Sequence, residues 1–243
     1  MKRIVTYRPL VRIAIGISAV ALSCCSKEKF ADEIQIDLPP FHTVVLKGQF
    51  DVYLSEDTDF GARLAGDSRV LDDFEYTCAD SILKVDMVSH SKWITPTRNK
   101  VELFIRSKPL KLIEAEGTCN IRTETPITSE EFGLIMKGKT NEAHLDLNCQ
   151  TFYYWNNHPT GGFLELSGNS DVLKIWNAAL LTVDARNLKT KYALVENDAL
   201  TDCIVNVTEE LEYKISGAGN IQLYGQPAVT NLGTTSGGQL ILH

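Results

Sequence analysis

The chain has 243 residues, 44% of them hydrophobic and 23% charged, with a formal net charge of −7. That is enough apolar material for one sizeable core or two small ones, and it excludes a wholly disordered chain. The acidic balance also excludes nucleic acid as a partner, because it repels phosphate backbones.

Residues 1–24 read as a lipoprotein signal peptide rather than as part of the fold. Lys2, Arg3, Arg8 and Arg12 precede the apolar run IAIGISAVALS, which is shorter than the roughly 20 residues a spanning helix needs. The run ends in ALSCCSKEKF, small residues before cysteine, and resembles the lipobox at which bacterial lipoproteins are cleaved and acylated. Leu22 and Ser23 stand at −3 and −2 of Cys25, which favours Cys25 as the lipidated residue, with Cys24 as the alternative. The expected location is therefore an outer membrane, periplasmic or surface-facing, with the protein held by acyl chains. Without its leader the chain carries 20 basic against 31 acidic side chains, a net charge of −11. Residues 25–37, including SKEKFADEIQID, form a polar tether.

From residue 38 onward, period-2 alternation predicts strands. FHTVVLKGQFDVYLSE holds two runs around Lys47-Gly48, GARLAGD a third, SILKVDMV and NKVELFIRS two more. SRVLDDFEY is the one candidate helical turn, and SHSKWITPTRN, with Trp93, is a polar loop. Residues 38–112 are thus expected to be a small N-terminal β unit. Asp80-Ser81-Ile82 matches a short bacterial O-glycosylation sequon, at a point where a strand begins.

Residues 113–243 bring a repeat: EGTCNIRTE, KGKTNEAHLDL, SGNSDVLKI and SGAGNIQLYG share a glycine, small residues, Asn or Asp, and an alternating apolar run. Asn120, Asn141, Asp171, Asp202 and Asn220 anchor the copies. The first and last intervals between them match a repeat of about 20 residues, whereas the two middle intervals are half as long again. Such a period is one supersecondary unit stacked on itself, so the expectation is a right-handed parallel β-helix-like coil, all-β, with insertions in the two long intervals. Glycine would supply positive φ at each corner. Asn or Asp would cap the corner or stack into a ladder. Ala143, Leu145, Leu147, Leu173, Ile175, Val205, Val207, Ile221 and Leu223 would face inward. The final residues, GGQLILH, read as strand and predict a β edge open to pairing with a second copy, a homo-oligomer.

GQFDVYLSE, VNVTEELEYKISGAGNIQLYGQP and the recurrent Gly/Asn motif resemble the family described as putative auto-transporter adhesin, head GIN domain, over roughly residues 41–243. VENDALTDC departs from the pattern by lacking the glycine before its Asp. The resemblance implies one continuous, largely β-helical domain over residues 38–243 in exported bacterial proteins, and no catalytic residue, cofactor or ligand.

Catalytic and metal motifs are absent from the sequence. The four cysteines beyond the leader, Cys78, Cys119, Cys149 and Cys203, match no metal spacing and are expected as buried thiols rather than bridges. An enzyme reading rests on Asp171, Asp184, Asp198 and Asp202 lining up on neighbouring rungs as general acid and base. The favoured reading is a non-catalytic cell-envelope adhesin, a module binding a glycan or protein, with a structural envelope component as a third possibility. Its binding candidate is FYYWNNHPTGG, expected as an inserted loop in which Tyr153, Tyr154, Trp155, Asn156 and His158 offer rings and polar groups to a sugar. No metal or cofactor is expected.

Overall fold

The computed structural model describes residues 32–88, 101–178 and 180–243. The leader, Cys24, Cys25 and the Trp93 loop lie outside those residues.

Alternation is realised as strand nearly throughout, and the strands wind into a parallel β-helix. Each turn crosses two sheets. β6 (Ile82–Met87) and β7 (Glu102–Ser107) form the lowest parallel turn. β2 (Thr43–Lys47) and β3 (Gln49–Glu56) lie on it, followed by β8 (Leu112–Ala115) and β9 (Thr118–Thr123). β10 (Glu131–Met136) leads into β11 (Thr140–Asn156), β12 (Gly161–Asn177), β13 (Leu180–Asn197) and β14 (Cys203–Ile215). Each of these four strands gives its first half to one sheet and its last half to the other. β15 (Ile221–Tyr224), β16 (Ala228–Thr234) and β17 (Leu240–Leu242) end the pile.

The opposite pole is antiparallel. β4 (Gly61–Gly66) runs against β7, β1 (Asp32–Asp37) against β4, and β5 (Phe74–Ala79) against β6. The helical turn expected after GARLAGD is α1 (Ser68–Leu71). Chain order and stacking order differ here, because β2 and β3 sit between the later pairs β6–β7 and β8–β9. The strand ladder runs on through β8, which pairs with β2 on one side and β10 on the other.

Side chains at matched register stack into columns down the core. Leu103, Val52, Ile121, Ala143, Leu164 and Val183 form one column in stacking order, all with no exposed surface. Burying each such Leu, Ile or Val stabilises the fold by about 1.5–3 kcal/mol relative to an exposed one. All nine residues expected to face inward are buried.

The register corrects the spacing inferred from the motif. Ala143, Leu164, Val183, Cys203 and Ile221 lie in one column, nearly evenly spaced along the chain. Every turn therefore takes up about 20 residues. The two long motif intervals are one and a half turns each rather than a turn with an insertion. Asn120, Asp202 and Asn220 do share a column. Asn141 is one residue out of it, buried, with its Oδ1 accepting the Cys119 N–H at 2.9 Å. Asp171 belongs to another side of the coil, where Lys191 binds it at 2.8 Å.

The motif glycines divide between the job expected and a second one. Gly168 has φ 95° and needs glycine for that reason. Gly117 and Gly138 have no such torsion. A Cβ on Gly117 would overlap the Gly48 carbonyl, and one on Gly138 the Gly117 carbonyl. These corners use glycine because successive turns press backbone on backbone. Asp80 and Ser81, by contrast, are non-glycine residues at φ 51° and 63°, forming the tight β5–β6 hairpin turn.

Candidate functional site

The segment expected as an inserted loop is mostly strand. Phe152 to Asn156 close β11, so alternation splits the predicted residues between two sides of a sheet. Phe152, Tyr154 and Asn156 point into the core with almost no exposed surface. Tyr153 and Trp155 face outward and are half-buried. Only Asn157, His158, Pro159 and Thr160 form the turn before β12. His158 is half-buried there, its backbone N–H held at 2.7 Å by Asn156 Oδ1. Tyr154 and Asn156 are therefore structural residues, and a ligand outside the sheet cannot reach them.

The outward residues form a ledge with a partner the motif missed. Trp155 stands in register with Trp176 one turn on, ring centroids 5.7 Å apart and planes inclined at 46°. Trp176 is 39% exposed. Tyr153 lies in register with Gly133, and a Cβ on Gly133 would overlap the tyrosine ring. The ring thus lies over a bare stretch of backbone, an arrangement in which an aromatic shields an unsubstituted neighbour strand. Ile135 stands beside Trp155, and Leu194 follows Lys174 in the Tyr153 column. A groove of about 400 Å³ runs along these rings, bordered by Glu131, Lys174 and Glu196. Burial pushes the Tyr153 phenol above its ordinary pKa, and the Glu131 carboxylate adds to the shift. The available chemistry is a flat apolar platform with hydrogen-bonding groups at its margin. Trp176 was legible in the sequence as the repeated pair Trp-Asn, at 155–156 and again one repeat later at 176–177.

Behind the ledge an asparagine ladder fixes the turn. Asn156, Asn177 and Asn197 stack in register with no exposed surface. Asn177 Nδ2 donates to the Leu181 carbonyl at 2.7 Å, and Asn197 Nδ2 to the Thr201 carbonyl at 3.0 Å. Asn156 also donates to the Tyr154 hydroxyl at 3.0 Å. The ladder expected from the sequence exists, but these three asparagines build it, not the motif anchors. An unpaired buried polar group is costly, and in this ladder the Asn177 Oδ1 alone has no hydrogen-bond partner among the described residues.

The four aspartates of the enzyme reading do not converge. Asp184 accepts from Arg186 Nε at 2.9 Å. Asp202 accepts the Asn220 N–H and the Gln222 amide, each at 2.8 Å. Asp171 is paired with Lys191 on another side, and Asp198 directly follows Asn197 at the turn. His144, on the opposite sheet, lies between Glu165 at 2.7 Å and Glu142 at 2.9 Å. Among the described residues no disulfide forms and no cluster of three metal-ligating side chains occurs. Burial pushes the Cys119 and Cys203 thiols up to about 12, which removes them from nucleophilic chemistry near neutral pH.

The strands define a parallel β-solenoid with an aromatic ledge along one flank. The chain belongs to the family described as "Putative auto-transporter adhesin, head GIN domain", whose model matches residues 40–227. A putative adhesin from Bacteroides fragilis has the same fold at 17% identity and TM-score 0.81, over 89% of this chain and 98% of its own. A putative lipid binding protein from Parabacteroides distasonis is similar at 15% identity and TM-score 0.64, over 87% and 96%. A putative adhesin from Parabacteroides merdae is similar at 14% identity and TM-score 0.58, over 89% and 97%. No curated protein matches the chain.

Proposed function

We propose that this is an exported, lipid-anchored protein of the cell envelope whose Tyr153–Trp155–Trp176 ledge binds a glycan without turning it over. The observation that carries the reading is the paired tryptophans on adjacent turns, one of them 39% exposed, on a face where a soluble solenoid would carry polar side chains. Sugars present a flat face of C–H groups that stacks on such rings, while their hydroxyls point outward to the rim. Glu131, Lys174 and Glu196 border the platform and supply acceptors and donors for those hydroxyls. The family and structural neighbours, named as adhesins, support a binding role.

The test is a glycan array probed with the full chain and with Trp155→Ala/Trp176→Ala. Loss of two stacked rings is expected to weaken binding by roughly tenfold or more. Both side chains face outward, so the melting temperature should change little. An array on which the native chain captures no glycan, or captures it as well as the double variant does, rejects the reading. The anchor is tested separately by metabolic labelling with a fatty acid, with Cys25→Ser expected to abolish incorporation and Cys24→Ser to preserve it.

A further inference from the structure

The columns of the core are covered at one pole and open at the other. Leu223 is 1% exposed, yet Leu242, next in its column, is 70% exposed. Leu211 is fully buried, and Val229 above it is 44% exposed. Leu232 and Ile241, at 51% and 38%, are also exposed on these last strands, Ile241 in the outward column of Gln222. Among the described residues β16 pairs only with β14, and β17 only with β15, so each leaves a row of backbone donors and acceptors unpaired. Edge strands of this kind are usually guarded by charge, above all lysine. Here residues 225–242 contain no Asp, Glu, Lys or Arg, in a chain whose formal net charge is −7.

We propose that this pole is an interface between two copies of the chain, joined head to head about a two-fold axis perpendicular to the solenoid. Such an axis sets β16 antiparallel to the partner's β16, and β17 antiparallel to the partner's β17. Two free edges, their separation and the open core between them are matched by one object in particular, the same pole of another copy. Charge argues for the same occupant. Two bodies this acidic repel wherever their flanks meet, and the uncharged pole is where they can touch without burying like charges. A head-to-tail chain of copies is disfavoured, because the far pole ends in β1, whose Asp32, Glu33 and Asp37 would be desolvated against β17.

Sedimentation equilibrium of the full chain in density-matched detergent, at high micromolar concentration, tests this. The native chain should show twice the mass of one polypeptide. Val229→Lys/Leu242→Lys should show the mass of one, with an unchanged circular dichroism spectrum, because both side chains already face solvent. A native chain that remains single, a ladder of growing masses, or a dimer that survives the two lysines overturns the proposal. A second substitution, Asn231→Cys, should cross-link two native-like chains with a short bismaleimide through the paired β16 strands, and a failure to cross-link counts against that register. Glycan capture by the ledge is a separate readout, since Trp155 and Trp176 lie well away from this pole in stacking order.

Discussion

At one pole the chain doubles back on itself. β4 and β5 run antiparallel over the lowest turn, β1 pairs antiparallel with β4, and Val70 and Leu71 of α1 are buried against the core. Arg63 ties this cover together, binding Glu33 at 3.1 Å and lying 3.7 Å above the Phe104 ring. At the other pole the turns simply continue until β16 and β17, and the apolar columns meet solvent. The difference teaches that a solenoid turn is stabilised by its neighbours on both sides. The same residue type in the same column is worth a great deal in the middle and little at an open end.

The largest contrast is chemical. Cys203 sits fully buried in the middle turns with its thiol pushed up to about 12, whereas Cys78 lies half-buried on β5 at the covered pole, with burial raising its pKa less far. At pH 8 the thiolate fraction of Cys203 is negligible. Iodoacetamide followed by mass spectrometry should therefore modify Cys78 well before Cys203, which reacts only on unfolding. Equal rates would mean that the middle turns open as readily as the pole. Core truncation gives the next contrast. Leu103→Ala is expected to cost about 2–5 kcal/mol by denaturant unfolding, while Leu242→Ala, measured on the dissociated chain, should stay within about 0.5 kcal/mol. Comparable losses at both sites would erase the distinction between covered and open ends.

The asparagines sharpen the comparison further. Asn197 Oδ1 accepts the Ala199 N–H in the core, and Asn231 Oδ1 accepts the Gly233 N–H at 2.8 Å on the exposed last turn. Asn197→Ala strands buried backbone groups and should cost about 1–3 kcal/mol, whereas water replaces the lost partner in Asn231→Ala, leaving a few tenths at most. Smallest is Arg63→Ala. Both members of its ion pair are substantially solvated, so roughly 1 kcal/mol or less should be lost, and less again in high salt.

Strand periodicity made the architecture legible, because inward positions such as Ala143, Leu173 and Val205 must alternate whatever the topology. The turn length was harder to see. Asn141 and Asp171 look alike as turn residues, yet one is a buried cap and the other a surface ion-pair partner, and sequence does not mark which side of a coil a residue occupies. The same ambiguity turned Tyr153, Tyr154 and Trp155 into a loop. Three aromatic residues in a row suit a strand that buries the middle one and shows the outer two. The antiparallel pole was hidden for another reason: β2 and β3 are completed by strands that come later in the chain, and no local signal records such a return.

The position of β1 fixes a distance. Ten strand spacings separate β1 from β17 in their shared sheet, and at about 4.8 Å each the solenoid measures roughly 48 Å from pole to pole. Anything that held the segment ahead of Asp32 would hold the β1 end, leaving the uncharged rim at the far pole. The tryptophans, five to six spacings up, stand about 24–29 Å above the base, clear of any surface there and level with whatever polymer brushes past the flank.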